Sequence, residues 1–424
     1  MTHGAEQMSL FRRSYHRDEV FVAGGQPSVT YVQREDQHVE RNLARAIATP
    51  NQIVSLAGTT KTGKTVLCRR VLGKREYIWV DGGQHSTAES VWSFVASELR
   101  LPFETTDTIS NQATAMLQGG VPMILTAGGS LLSTNSTTER RAVNSMTSAI
   151  AAMLADKIVM VIDDFHYLGT EARREVMRNV KGAVFGGFKV VLLSVTHRAF
   201  DAIRAESELT GRFVTIKLPH WSLLDLEKIA ASGFEALNVT YSAALIERLC
   251  REAQENPFLM QKFCWEICFD LGIEKTSLLS PQKIPFDYNP EPMFERLAED
   301  AGLPIYQQLV AGPQSRKIRV KRPLNNGEEA DIYEAVLLAL AETGPKSAIS
   351  YEELRAALSN LLTDMVPQKH EITSALKHLA VISRKIGAES AIDWDEERRE
   401  INVADPYLRF YMRWKLRHTR TNGH

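Results

Sequence analysis

Cysteine is scarce in this chain of 424 residues, occurring only at Cys68, Cys250, Cys264 and Cys268. Residues 1–13 hold no apolar core of signal-peptide length, so these few thiols point to a reducing compartment and not to a disulfide framework. Cys264 and Cys268 stand four apart on an apolar helical stretch without a partner cluster, and read as core residues, not metal ligands. Long hydrophobic runs are also missing. No stretch reaches the roughly 20 apolar residues of a membrane span, so the expectation is a soluble, cytoplasmic protein with no membrane partner. Charge of one sign is lacking as well: 50 Lys+Arg face 51 Asp+Glu, a total of −1. That excludes a surface coated with cations for nucleic acid. It still averages an acidic stretch (291–300) against two cationic ones (316–322 and 409–420). Internal repeats, a nucleophile elbow and a nuclease or protease metal cluster are absent too.

What is present is ordinary globular composition, 44% hydrophobic and 24% charged, and enough length for two to four domains at roughly 150 residues each. Residues 1–30 are polar and broken by Gly24-Gly25 and Pro27, and read as a tail or arm. From Tyr31 the pattern tightens. Val39, Leu43 and Ile47 form one stripe of an amphipathic helix over 35–48. Short apolar runs follow at 53–57, 77–80, 158–162, 190–193 and 214–218, with helical segments between most of them. Buried strands alternating with helices predict an α/β core with a parallel sheet over 31–220. After Leu218-Pro219 the strand signal stops, and 221–300 reads as a helical lid with helices at 223–236, 243–252 and 257–270. Residues 301–330 read as a linker containing the basic run 316–322. Over 331–424, three helices (331–342, 351–358, 368–379) and two strand-like pieces (381–386, 399–403) give the order of a winged-helix domain with a basic tail.

The strongest motif is Gly58-Thr59-Thr60-Lys61-Thr62-Gly63-Lys64-Thr65, a full G-x-x-x-x-G-K-[ST] match between an apolar strand and a helix. Glycines let backbone N–H groups turn inward around phosphate oxygens, and the helix N-terminus adds its dipole. The pattern assigns Lys64 to the β/γ-phosphates of ATP and the Thr65 hydroxyl to Mg²⁺. The apolar run 158–162 ends in Asp163-Asp164, a Walker B arrangement in which Asp163 holds the Mg²⁺ shell and Asp164 polarises the attacking water. His166 either supports these acids or is a structural histidine. The next strand ends in Ser194-Val195-Thr196-His197-Arg198, where Thr196 or Arg198 is placed to sense the γ-phosphate. Arg212 is read either as a finger toward a neighbouring subunit or as a local ion-pair partner. Residues 102–150, rich in Thr, Ser and Gly, are read as a mobile contact loop or as a helical insertion with flexible ends.

Together these elements resemble the AAA+ superfamily, and within it the STAND and archaeal-type ATPases near the Orc/Cdc6 initiators. Tyr31-Val32-Gln33-Arg34-Glu35 resembles their "GRE" entry segment, with Gln33 in place of glycine, and this implies Arg34 near the adenine. Asp163-Asp164-Phe165-His166 resembles the STAND "DD-x-H" Walker B. Glu255-Asn256-Pro257 resembles the lid turn "GxP", with Glu255 in place of glycine, and implies Pro257 at the nucleotide. Asp405-Pro406-Tyr407-Leu408-Arg409-Phe410-Tyr411 resembles the "DPYxRFW" ending of archaeal-type ATPases. The lid of that superfamily carries an arginine after its turn. Here Phe258-Leu259-Met260-Gln261 follows, with Lys262 the nearest cation, which suits slow hydrolysis in a switch.

Three readings of function follow. The first is a nucleotide switch that oligomerises or changes contacts with an effector protein, for which the resemblance offers roles in antiviral defence and regulation. The second is a DNA-binding initiator or transposition-type ATPase using the winged helix, the run 316–322 and Arg409, Arg413, Lys415, Arg417 and Arg420. The third is a nucleotide-binding scaffold without hydrolysis.

Overall fold

Five strands run parallel in the order β2-β3-β4-β1-β5, with β1 Ile53–Ala57, β2 Tyr77–Asp81, β3 Val159–Asp163, β4 Lys189–Ser194 and β5 Phe213–Lys217. This computed structural model describes residues 13–101, 145–195, 212–314, 318–344, 346, 348–386 and 390–417. The sheet is buried on both faces because its strands alternate between two apolar layers. In β3, Met160 and Ile162 face α4 (Ala88–Glu98), α5 (Ser145–Ala155) and α6 (Thr170–Phe185). Val159 and Val161 face α2 (Val39–Ala48) and α3 (Lys64–Leu72), which follow a short α1 (Arg17–Val20). The parallel α/β core expected from the run spacing is therefore what forms. The central feature is β4, inserted between β1 and β3, with Ala57 beside Ser194 and Ile162 beside Leu192. The end of β4 thus lies between the strand that feeds the phosphate-type loop and the strand that ends in the paired acids.

Beyond β5 the chain is helical apart from one short parallel pairing of Val239–Thr240 with Gln282–Lys283: α7 Leu223–Leu237, α8 Ala243–Glu252, α9 Pro257–Asp270, α10 Glu291–Leu297 and α11 Leu303–Ala311. The winged helix follows, built from α12 Ile332–Glu342, α13 Tyr351–Leu361, α14 Lys369–Ile386 and a three-stranded wing of β6 Ala348–Ser350, β7 Ile392–Asp395 and β8 Glu400–Val403. It closes on α15 Pro406–Tyr411.

One apolar core runs through all of these helices. Phe234 and Phe263 of the lid, Leu309 of α11, and Leu376 and Phe410 of the winged helix belong to the same buried cluster. Cys264 and Cys268 are buried in it, and burial pushes the Cys268 thiol up to about 12, which keeps it protonated and inert.

One expectation is revised and two are made more definite. Residues 381–386 were expected as a strand, but they complete α14. The buried positions Ile372, Leu376, Leu379 and Ser383 keep helical spacing, and the Ser383 hydroxyl accepts the Ile392 amide at 2.8 Å, so the helical face is used to its end. The linker expected from residue 301 is helical through α11. Its Gly302 lies so close to α15 that a Cβ there would stand 2.3 Å from Tyr411 Cβ, so the region belongs to the core. The arm expected at 1–30 is docked over its described part. Val20 and Phe21 are buried, and Phe21 packs edge-on against Phe234 at 5.3 Å. Of the 102–150 insertion, residues 102–144 lie outside the described residues, and α5 begins at Ser145.

Candidate functional site

The loop from Gly58 to Thr65 joins the end of β1 to the start of α3, the position its chemistry requires. Gly63 adopts φ +95°, a backbone conformation that favours glycine, and it is the residue from which α3 starts. Within the loop, Thr62 Oγ1 donates to Thr59 O at 2.6 Å, and Trp221 Nε1 donates to Thr62 O at 3.0 Å. Lys64 is buried and its Nζ donates to Gly58 O at 3.2 Å and Thr59 O at 3.0 Å, bridging the loop's own carbonyls. Thr65 Oγ1 donates to Asp163 Oδ2 at 2.9 Å, so the first turn of α3 meets the end of β3.

Burial raises the Asp163 carboxyl above its ordinary 3.8, outweighing the Thr65 hydrogen bond and the Lys64 charge that pull it down. Asp164 follows in a left-handed conformation (φ +51°), which turns the chain away from the sheet.

These groups open into a cavity of about 500 Å³. Lys61, Thr62, Gly63, Lys64, Thr65, Asp163 and Asp164 line it, as do Arg34 and Pro257. Gly58, Thr59 and Thr60, the first three residues of the loop, do not line it. Arg34 donates to Pro219 O at 2.9 Å with its guanidinium 4.7 Å from the Trp221 ring centre, and burial lowers its pKa. Pro257 opens α9, where Asn256 caps the helix by accepting the Phe258 and Leu259 amides. The residue before it, Glu255, has φ +59°. This turn therefore keeps the backbone shape that glycine favours while carrying a different side chain.

Sequence reasoning missed one wall of the cavity. Val22, Gly24, Gly25, Gln26, Pro27 and Thr30 line it from the docked arm. The arm is held to the lid where Gln261 accepts the Val22 amide at 3.1 Å and donates to Thr30 Oγ1 at 2.7 Å. The only hint was the apolar Val20-Phe21-Val22 ahead of the glycines.

Two cations weighed from the sequence, Arg212 toward a neighbouring subunit and Lys262 as the cation nearest the lid turn, do not line this cavity. Arg212 precedes β5, at the opposite end of the sheet from the loop, since Phe213 pairs with Ile53 and Lys217 with Ala57. The five steps from Arg212 to Lys217 span about 17 Å along the strand, and the Arg212 guanidinium packs over the Phe185 ring at 3.3 Å. Lys262 pairs with Glu266 at 2.6 Å. Thr196 and Arg198 lie outside the described residues, just past β4. Among the described residues no cluster of three or more His, Cys, Asp or Glu side chains fits a metal cage, and no helix is long and apolar enough to cross a membrane. The donor set does fit Mg²⁺, a hard cation that takes one or two protein oxygens and completes its shell with waters and phosphates.

No family profile matches the chain, and no curated protein matches it. Solved structures do. Cdc6p from Pyrobaculum aerophilum is 12% identical with a TM-score of 0.43, covering 95% of this chain and 98% of its own. The Aeropyrum pernix Orc1 protein, solved in complex with DNA, is 12% identical with a TM-score of 0.47, covering 96% and 98%. The RuvB Holliday junction branch migration motor of Thermotoga maritima is 13% identical with a TM-score of 0.42, covering 88% and 92%. The chain is similar to these solved structures at low identity, and its own strand order and elements give a parallel α/β core followed by a helical lid and a C-terminal winged helix.

Proposed function

We propose that this chain binds and hydrolyses ATP with Mg²⁺ and works as a nucleotide-governed switch. The carrying observation is the 2.9 Å approach of Thr65 Oγ1 to Asp163 Oδ2 on the wall of the cavity. In this reading Thr65 and Asp163 hold the ion, Lys64 turns from the loop carbonyls to the β/γ-phosphates, and Asp164 orients the attacking water. Bound Mg²⁺ supplies neutralisation of charge on the β- and γ-phosphates. Arg34, Trp221 and the 22–30 segment wall the base side. Thr196 or Arg198 remains the proposed γ-phosphate sensor.

Arg212 is proposed to serve a second protomer, because it sits at the far end of its own sheet. Phosphate release by the wild type, lost in Asp164→Asn while fluorescent ATP still binds, tests the hydrolytic reading. The same assay across protein concentration tests the finger: turnover per chain that stays constant on dilution removes it. The effector, and any role in defence or regulation, rests on the resemblance.

Of the cations offered to DNA, Arg316, Lys317 and Arg420 lie outside the described residues, and among the described ones in the basic run, the winged helix and the tail several are engaged within the chain. Arg319 pairs with Asp331 at 2.8 Å, Arg322 with Glu371 at 2.8 Å, and Lys377 with Glu396 at 2.8 Å. Arg413 pairs with Glu252 at 2.9 Å and Lys415 with Glu299 at 2.7 Å, while Arg409 is buried. Paired cations release few counterions on meeting phosphate, which favours the switch over the DNA-binding alternative. Tight, steeply salt-dependent retention of duplex on a filter would reverse that preference.

Asp163 sets a pH dependence. Protons and Mg²⁺ compete for the same oxygen, so metal-dependent nucleotide binding is expected to weaken as pH falls toward the raised Asp163 pKa, earlier than an ordinary aspartate at 3.8 would impose. For folding the sign is opposite: a raised carboxyl stabilises the fold at low pH, and that contribution fades as it ionises. Titrating Mg²⁺-dependent binding against Asp163→Asn checks this. An identical acid limb in both proteins would refute it.

A further inference from the structure

Lid, winged helix and arm share one apolar core, whereas the sheet has two clusters of its own. The junction between these bodies is bridged by polar contacts. At the Walker B end, the Ser390 amide beside the wing donates to the Tyr167 hydroxyl oxygen. At the phosphate-type loop, Lys61 Nζ meets Asp405 Oδ2 at 3.0 Å. Lys61 is held left-handed (φ +57°), and its ammonium stands 5.1 Å from the Phe258 ring centre and 5.2 Å from that of Tyr407. Those rings come from the lid and the winged helix and pack edge-on. Asp405 is fixed in turn, because its other oxygen, Oδ1, accepts the Leu408 amide at 2.8 Å as the cap of α15. A cation on the cavity wall is thus claimed by a carboxylate that is 15% exposed and belongs to the winged helix.

We propose that Asp405 makes the docked winged helix discriminate between nucleotides by charge. It competes with the nucleotide's phosphates for Lys61 and presents a like charge to them, so the docked form disfavours a triphosphate more than a diphosphate. Triphosphate binding correspondingly loosens the Lys61–Asp405 contact, and the lid and winged helix respond as one body because a continuous core joins them. The coupling is reciprocal: whatever loosens docking raises triphosphate affinity. This inference rests on the nucleotide reading of the cavity.

The test measures fluorescent ATP-analogue and ADP affinities of the full chain, together with hydrogen exchange over 390–411. Asp405→Asn removes the charge and keeps a good helix cap, and Asp405→Ser does the same with a second side chain. Both are expected to raise triphosphate affinity by about fivefold or more, the lower range of ordinary coupling between sites. Diphosphate affinity should rise less, and exchange at 390–411 should increase without nucleotide. Tyr167→Phe removes the Ser390 contact with no change of charge, and is expected to increase exchange while leaving the ratio of the two affinities where it was. If the Asp405 variants bind both nucleotides with the wild-type ratio, the discrimination is overturned and the nucleotide site stands. A wild type that binds neither nucleotide overturns both.

Discussion

Replacing Lys64 by alanine is expected to lower ATP turnover by about 100-fold or more, the usual loss when one preorganised electrostatic donor is removed from a phosphoryl- or acyl-transfer site. The size follows from where Lys64 sits. Its ammonium is buried and already bridges Gly58 O and Thr59 O at the base of the cavity. Moving from two neutral carbonyls to a polyphosphate gives it charge-assisted partners in a partly desolvated site, where such contacts are strongest. Alanine leaves the helix intact, being the best helix former, so the loss belongs to the site and not to the fold. Lys64→Arg separates charge from shape, because a planar guanidinium cannot take the place of a compact ammonium. It should recover little turnover. Phosphate release at saturating ATP measures both variants, and turnover within threefold of wild type in Lys64→Ala would remove this loop from the chemistry.

The loop itself was legible because its chemistry is local. Eight consecutive residues, a strand before and a helix after, carry all the information that a phosphate cradle needs. The pairing of Thr65 with Asp163 was legible through two motifs 98 residues apart, each recognisable alone. The rest of the site was not. The wall from Val22 to Thr30 has polar, glycine-rich composition and reads as a tail, yet Phe21 anchors it in the lid. Trp221, which holds Thr62 O, lies 159 residues from it and belongs to no pattern. The Lys61–Asp405 contact spans 344 residues, and nothing local to either residue signals it.

The errors have the same source. Residues 381–386 look like a strand by their β-branched content, but packing of Ser383 and its neighbours decides for helix. Arg319, Arg322, Arg413 and Lys415 read as unpaired cations in the sequence, whereas each has an acidic partner that no local pattern marks. Glu255 shows the converse, a departure in residue type that leaves the turn's backbone unchanged.

Phe410→Ala is expected to cost about 3–5 kcal/mol, the range for deleting a fully buried aromatic ring. Phe410 is fully buried, with Phe263 at 5.4 Å, Phe294 at 5.7 Å and Trp414 at 6.1 Å between ring centres. Phe263 and Phe294 pack on each other at 5.0 Å, so one aromatic cluster joins α9, α10 and α15. Truncating its centre opens a cavity shared by the lid and the winged helix, and the bidentate Arg413–Glu252 pair beside it cannot refill that space. The diagnostic quantity is how unfolding divides. With one core across both units, lid and winged helix should melt in a single shifted transition, while the sheet, whose two clusters are separate, keeps its own. Calorimetry together with hydrogen exchange resolves this. If exchange rises over 332–411 while 223–270 keeps wild-type protection, the two units are independent and cannot act as one body on the nucleotide.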